Sequence, residues 1–321
     1  MSSATAGTAA GPHPAAIALA FATICLVWGS TFLAIRFAVE TLPPWTMIGV
    51  RSLLAGAALA GFARLRGAAL PDAAGWRAAA ATGALLFLFG HGLLAWGAQR
   101  VPSGQAAVLL ATIPLWVPFT TWALGERRPG VATLVGLAIG FAGVVVLVAP
   151  DPAAGSTADS AAASALDTAA VAALLVSALA WALGTAVSRR LPTASSSAMS
   201  AGAQLLAGGT LALLAGAVGG EWSAPPAGGV SMASLLGLAY LVVFGSLAAF
   251  GAFTWLLQVW APTRVATYAY VNPVVALVLG WAVLAEPLGV REAGATALVL
   301  AGVAVVMLAP SPGAARRPAR K

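Results

Sequence analysis

Residues 15–35 read AAIALAFATICLVWGSTFLAI, twenty-one positions without one charged side chain. At about 1.5 Å of helical rise per residue such a stretch covers about 30 Å, the hydrocarbon thickness of a bilayer. It is longer than the apolar core of a signal peptide, about 7–15 residues, so it is expected to remain as an uncleaved first helix. Outward from it the pattern recurs. Apolar runs divided by proline, glycine or charged punctuation fall at about 45–63, 77–97, 104–124, 130–149, 168–188, 197–217, 232–256, 264–284 and 290–309. Proline cannot continue a helix, and Pro43-Pro44, Pro71, Pro102, Pro129, Pro150, Pro192, Pro225-Pro226, Pro262 and Pro287 mark the gaps. The fold expected is therefore all-α and integral to the membrane, with ten transmembrane helices.

Composition agrees. The chain has 321 residues, of which 60% are hydrophobic and 8% charged, where a soluble domain carries about 25% charged residues. A buried core cannot absorb that much apolar surface, and the remainder must face lipid. A net charge of +7 would suggest nucleic acid in a soluble protein. Here the basic residues sort by membrane face instead. Arg64, Arg66, Arg77, Arg127, Arg128, Arg189, Arg190, Arg264, Arg316, Arg317, Arg320 and Lys321 share the side of the even-numbered loops and the termini, whereas the odd-numbered loops hold only Arg36, Arg100 and Arg291. By the positive-inside rule both termini are expected to be cytoplasmic, in a bacterial inner membrane, with no nucleic-acid partner. The linker at about 150–167 carries Asp151, Asp159 and Asp167 and no base, as expected of an external connection, and 311–321 forms a basic cytoplasmic tail. Cys25 is the sole cysteine, so neither a disulfide within the chain nor a cysteine metal site is available.

The chain repeats itself. Trp96, Gln99, Pro114 and Gly143 recur 159 residues later as Trp255, Gln258, Pro273 and Gly302. At an offset of 153, Trp28, Arg36 and Gly56 match Trp181, Arg189 and Gly209, while Arg51 meets Gln204. The six-residue difference points to a longer connection in the second half. Five crossings per unit is an odd number, so the second unit, 168–310, enters the membrane inverted relative to the first, 1–149. Inverted repeats are the plan of secondary transporters, with a site near the midplane between the halves.

Trp28-Gly29-Ser30-Thr31-Phe32, Arg51, Pro114 through Gly125-Glu126-Arg127, and Tyr268-Ala269-Tyr270-Val271-Asn272-Pro273 through Glu286-Pro287-Leu288 together resemble an EamA-type member of the drug/metabolite transporter superfamily. The resemblance covers nearly the whole chain and implies export of amino acids and related metabolites. One departure stands out: Glu126 follows Pro114 by twelve residues, Glu286 follows Pro273 by thirteen.

Several residues could carry chemistry. Pro114 and Pro273 are placed near the middles of the fourth and ninth runs, where each would free a carbonyl that lipid cannot satisfy. Those helices are expected to line the substrate path. Tyr268 and Asn272 are four apart and share a helical face, and Tyr270 points away from it. Arg51 is the one basic residue well inside a span, and intramembrane charges are costly enough to be functional candidates. Its alternatives are bonding to backbone or hydroxyl groups, holding a substrate carboxylate, or snorkelling outward. His91, between Gly90 and Gly92, is a candidate proton acceptor, with a structural hydrogen bond as the other reading. With Trp28, Ser30, Thr31 and Trp96 these residues form the expected binding set. Glu126 and Glu286 end their helices on opposite faces and are expected to act as gates.

No acid lies mid-span, which argues against a built-in site for cations. A solitary Arg51 is too little for a sugar phosphate. A cavity of aromatic, hydroxyl and amide groups suits a neutral or zwitterionic substrate moved by alternating access, with a multidrug exporter of bulky aromatic or cationic compounds as the alternative. Proton coupling through His91 or a gate glutamate and uncoupled exchange both fit. Zinc-helix, paired-carboxylate and Gly-x-Ser-x-Gly patterns are lacking, so an enzyme on lipid-linked substrates is disfavoured and no cofactor or metal is expected. The series Gly136, Gly140, Gly143, Gly294 and Gly302 suits close helix contact, within one chain or in a homodimer; monomer and homodimer both remain open.

Overall fold

The structure is a computed structural model and describes residues 13–126, 128–149, 167–192, 194–223, 228–260, 265, 267–286 and 288–309. Most of the expected external linker, the basic tail at 311–321, Arg127, Arg264 and Pro287 lie outside the described residues, as does the Gln258 side chain.

Among the described residues ten apolar helices follow in succession: α1 Pro14–Ala38, α2 Pro44–Leu65, α3 Ala73–Gly97, α4 Ser103–Ala123, α5 Val131–Val148, α6 Thr168–Ser188, α7 Ser197–Val218, α8 beginning at Met232 and running through Phe250–Val259, α9 Tyr268–Leu284 and α10 Val290–Leu308; all but the shorter α9 are long and apolar enough to cross a membrane. Their starts follow from local chemistry. Pro14 and Pro44 occupy first turns, where the missing N–H costs no bond. Elsewhere a short polar side chain takes an orphan amide. Gly75 N donates to Asp72 at 2.7 Å, Ala169 N to Asp167 at 2.9 Å, Met199 N to Ser196 at 3.1 Å and Ser234 N to Ser231 at 3.1 Å.

The duplication is written in the helix boundaries. Both α2 and α7 run 22 residues and begin 153 residues apart, and α3 and α8, like α5 and α10, begin 159 apart. Residues 66–72 join α2 to α3 where residues 219–231 join α7 to α8, and that longer connection is the six-residue slip. Each half also has one π-helical segment at the corresponding place, Ala84–His91 in α3 and Leu241–Ala249 in α8.

The seams that join the halves are glycine-lined. α2 packs most extensively on α7, and α5 on α10, each helix against its own repeat counterpart. A Cβ on Gly56 would stand 2.8 Å from Leu206 N, and one on Gly202 would stand 2.7 Å from Ala60 N. On the other seam a Cβ on Gly136 would meet the Gly302 carbonyl at 2.8 Å, and one on Gly302 would collide with the backbone of Gly140. The glycine series thus closes α5 on α10 inside one chain. Gly294 is the exception, since nothing lies within 4 Å of its side-chain position.

The two prolines sit differently in their helices. α4 is interrupted as expected: Ser103–Leu110 and Ile113–Ala123 are separated by a turn, and Pro114 falls in the first turn of the second segment. Pro273 is the sixth residue of the helical segment Tyr268–Leu284 and does not end it. Upstream of that segment Val265 is helical and Thr267 lies in a turn, while residues 261–264 and 266 lie outside the described residues.

Candidate functional site

Trp28 of α1 and Trp181 of α6 are repeat counterparts, and they meet edge to face at 6.4 Å between ring centres and 88°. Two residues related by the duplication can touch only where its pseudo-symmetry axis passes, so this pair marks the interface between the halves. From it a closed circuit of aromatic rings extends. Trp28 leads to Phe253 at 5.0 Å, Phe253 to Phe250 at 6.2 Å, Phe250 to Phe87 at 6.0 Å, Phe87 to His91 at 5.4 Å, and His91 to Trp181 at 4.9 Å. Tyr268 adds an edge contact to Trp28 at 4.9 Å. The circuit draws on α1 and α3 of one half and on α6 and α8 of the other. The circuit mixes edge-to-face, tilted and stacked contacts, the offset arrangements that the ring quadrupole favours.

The two π-helical segments set the polar groups. In α3 the wider turn brings His91 Nδ1 to the Leu86 carbonyl five residues back, at 3.2 Å. A carbonyl only accepts, so Nδ1 is the donor in this contact. Ser177 ties α6 to the same segment through the Gly90 carbonyl at 2.6 Å. In α8 the Gly245 carbonyl receives the Trp28 indole N–H at 3.2 Å, and Ser246 Oγ receives Arg51 Nε at 2.8 Å.

Arg51 does not snorkel. It is 5% exposed, and neither of the two ion pairs among the described residues involves it. Gly245 makes room for it, because a Cβ there would stand 3.1 Å from Arg51 Nη2 and 3.1 Å from the Thr31 methyl. Its Nη1 is buried without a hydrogen-bond partner. A buried guanidinium N–H left unbonded is an expensive vacancy for an acceptor.

Trp28, Thr31, Arg51, His91 and Tyr268 are therefore gathered at one place, and the remaining expected residues are dispersed. Ser30 turns the other way and bonds the Tyr240 hydroxyl at 2.7 Å. That pair lines a groove of about 470 Å³ between α1, α8 and α9. Trp96 lies at the end of α3 beneath the Arg100 guanidinium, 4.1 Å from the ring centre. Tyr270 packs into the larger cluster with Trp45 and Trp116, apart from Tyr268. Asn272 is buried between helices: with its amide nitrogen toward the carbonyls it donates to Cys25 O at 3.0 Å and Tyr268 O at 3.3 Å. Asn272→Ala should thus lower the thermal stability of the purified protein by about 1–3 kcal/mol, the cost of leaving a buried carbonyl unpaired. An unchanged unfolding midpoint would remove this cross-link between α1 and α9.

The glutamates behave differently from each other. Glu286 accepts from Ser103 N at 2.7 Å, Ser103 Oγ at 2.9 Å and Gly104 N at 3.1 Å, which caps α4. Its counterpart Glu126 is exposed and pairs with Arg190 at 3.1 Å; Arg190 also donates to the Leu124 carbonyl. Both follow a left-handed residue, Gly125 at φ 91° and Ala285 at φ 53°. For alanine that conformation costs about 1–2 kcal/mol. The Glu126 amide bonds five residues back to Thr121, and the Glu286 amide six back to Gly280. This difference in turn is the one-residue slip in spacing from the prolines.

Among the described residues several polar bonds tie the halves on the face of the odd-numbered loops. Besides Glu286, Glu221 accepts from Thr46 N at 2.8 Å and Thr46 Oγ1 at 2.7 Å. Thr41 bonds Ser234 at 2.8 Å, and Arg291 donates to the Leu147 carbonyl at 2.8 Å. No group of metal-binding side chains occurs among the described residues.

Phe87, Trp181, Ser246, Phe250 and Phe253 join the site without having been singled out for it. Trp181 was signalled by its match to Trp28; the others had no local mark.

Comparison with known proteins agrees with this architecture. The profile of the EamA-like transporter family matches twice, over residues 15–149 and 168–308. The inner membrane transporter YedA of Escherichia coli (strain K12) is 34% identical over 286 residues, spanning 88% of each chain. Protein PagO of Salmonella typhimurium (strain LT2) is 32% identical over 124 residues, 38% of this chain and 41% of its own. One crystal structure superposes with a TM-score of 0.60 at 19% identity, covering 90% of this chain and 96% of that one, and shows the fold alone. Two family matches in one chain, on two halves whose helices correspond, make this protein a member of the EamA-like transporter family and a multi-pass inner-membrane transporter.

Proposed function

We propose that the protein is a secondary-active exporter of small zwitterionic or neutral metabolites, amino acids among them, and that its halves alternate access around the Trp28–Trp181 interface. The observation that carries this reading is the buried, unpartnered Nη1 of Arg51 beside the aromatic circuit. The guanidinium supports a carboxylate on the substrate, and ring faces support an ammonium or an apolar side chain through cation–π and stacking contacts. The same cation disfavours positively charged drugs, so a multidrug exporter of bulky compounds ranks second, supported by the circuit alone.

Export as the direction rests on the family. Cytoplasmic termini rest on the twelve basic residues of the even-loop side. His91, held through Nδ1 by the Leu86 carbonyl, is the candidate for proton coupling. Purified protein in liposomes, loaded with labelled amino acids and tested with and without a pH gradient, should show protein-dependent flux for at least one of them. Failure of every common zwitterionic metabolite to move would count against the substrate class. Flux confined to bulky cations would favour the second reading.

A further inference from the structure

We infer that Glu286 is a releasable latch on the odd-loop face, engaged in this structure and required to let go for the site to be reached from that side. The inference deepens the alternating-access reading and rests on it.

Three observations build the latch. The carboxylate of Glu286, just beyond the end of α9 in the second half, receives two backbone amides and a hydroxyl from the first residues of α4 in the first half. Charge-assisted bonds of this kind are the strong ones, and a carboxylate at a helix N-terminus gains further from the helix dipole. One side chain thus ties the two halves together directly.

The geometry is also purpose-fitted. Ala285 takes up a left-handed conformation that turns the chain back toward α4. Gly280 leaves the space: a Cβ there would collide with the Glu286 carboxylate and stand 2.9 Å from Ser103 Oγ. Side-chain volume at 280 and latch closure exclude each other.

The third observation is the asymmetry between counterparts. Gly125-Glu126 repeats the left-handed residue and the glutamate, yet Glu126 is exposed on the opposite face and paired with the exposed Arg190. In an inverted-repeat carrier the two halves exchange conformations as access alternates. Glu286 is engaged with the first residues of α4 through backbone amides, and Glu126 holds the Arg190 guanidinium of the second half on the other side. In the alternate state Glu286 lets α4 go.

The test uses full-length protein in nanodiscs and liposomes, and it has two arms. Hydrogen exchange reads the latch without any substrate. The Ser103 and Gly104 amides should be protected in the wild type and exchange at least about tenfold faster in Glu286→Ala, as loss of charge-assisted bonds requires. The variant should keep protection in α2 and α7. Unchanged exchange at Ser103 and Gly104 would overturn the latch.

The second arm asks whether release is needed. In a Cys25→Ala, Glu286→Ala background, Ser103→Cys with Gly280→Cys brings two thiols into the range of a disulfide, whose Cβ atoms stand about 3.5–4.5 Å apart. Flux of a labelled amino acid should fall at least about tenfold on oxidation and return on reduction. Full flux with the crosslink formed would show that the contact need not open, and would overturn the inference. If the wild type moves no amino acid, the substrate reading fails on its own, and the exchange arm still decides whether Glu286 holds α4.

Discussion

Gly302→Ala is expected to leave little folded protein. The added methyl would be driven into the Gly140 backbone and the Gly136 carbonyl, none of which can swing aside as a side-chain tip would. α5 and α10 would have to separate along their length, and overpacking of this kind costs about 1–3 kcal/mol even where side chains can yield. Between lipid-facing helices van der Waals contact is the main adhesive, so separation removes the attraction as well. Gly294→Ala on the same helix is the control. Its side-chain position is open, and alanine has the better helix propensity. Size-exclusion profiles of the two variants after extraction should differ sharply. Equal monodispersity would mean that the α5–α10 seam tolerates a wider spacing.

Arg51→Gln is expected to cost transport more than stability. It keeps a polar side chain near Ser246 but removes the cation and the buried Nη1 donor. A lost charge-assisted bond of about 1.5–3 kcal/mol corresponds to roughly a ten- to hundredfold loss of flux for a carboxylate-bearing substrate. The carboxamide of the same substrate, with no charge to match, should move at nearly the same rate through both proteins. Arg51→Lys should fall between, since an ammonium restores charge without the planar fork. An equal loss for acid and amide would assign Arg51 a packing role. No loss for either would take it out of the site.

Much of the architecture was legible because membrane helices announce themselves through length, proline and caps. Pro44, Asp72, Asp167 and Ser196 each begin a helix for a local reason, and the six-residue shift in repeat offset became the longer α7–α8 connection. The site was legible only in its charged and duplicated members. Arg51 stood out by cost and Trp28 by repetition. Ser246 and Phe253 did not, because a serine or phenylalanine in an apolar run carries no mark of the helix it will face. Glu286 was recognisable as a helix-end residue, but its partner at Ser103 lies in the other half and depends on how the halves close.

The paired π-helical segments have a further consequence. A π turn carries about one residue more than an α turn, and one residue is about 100° of azimuth in an α-helix. α3 is therefore out of phase with itself: the half before Ala84 and the half after His91 are rotated relative to a continuous α-helix. Gly83 can abut α7 at Gln204 and Gly208 while His91 is aimed at Trp181 on α6. Wound instead as an ordinary α-helix, the same residues Ala84–His91 would still make every backbone bond. The helix would survive and one of its two faces would be aimed at the wrong neighbour.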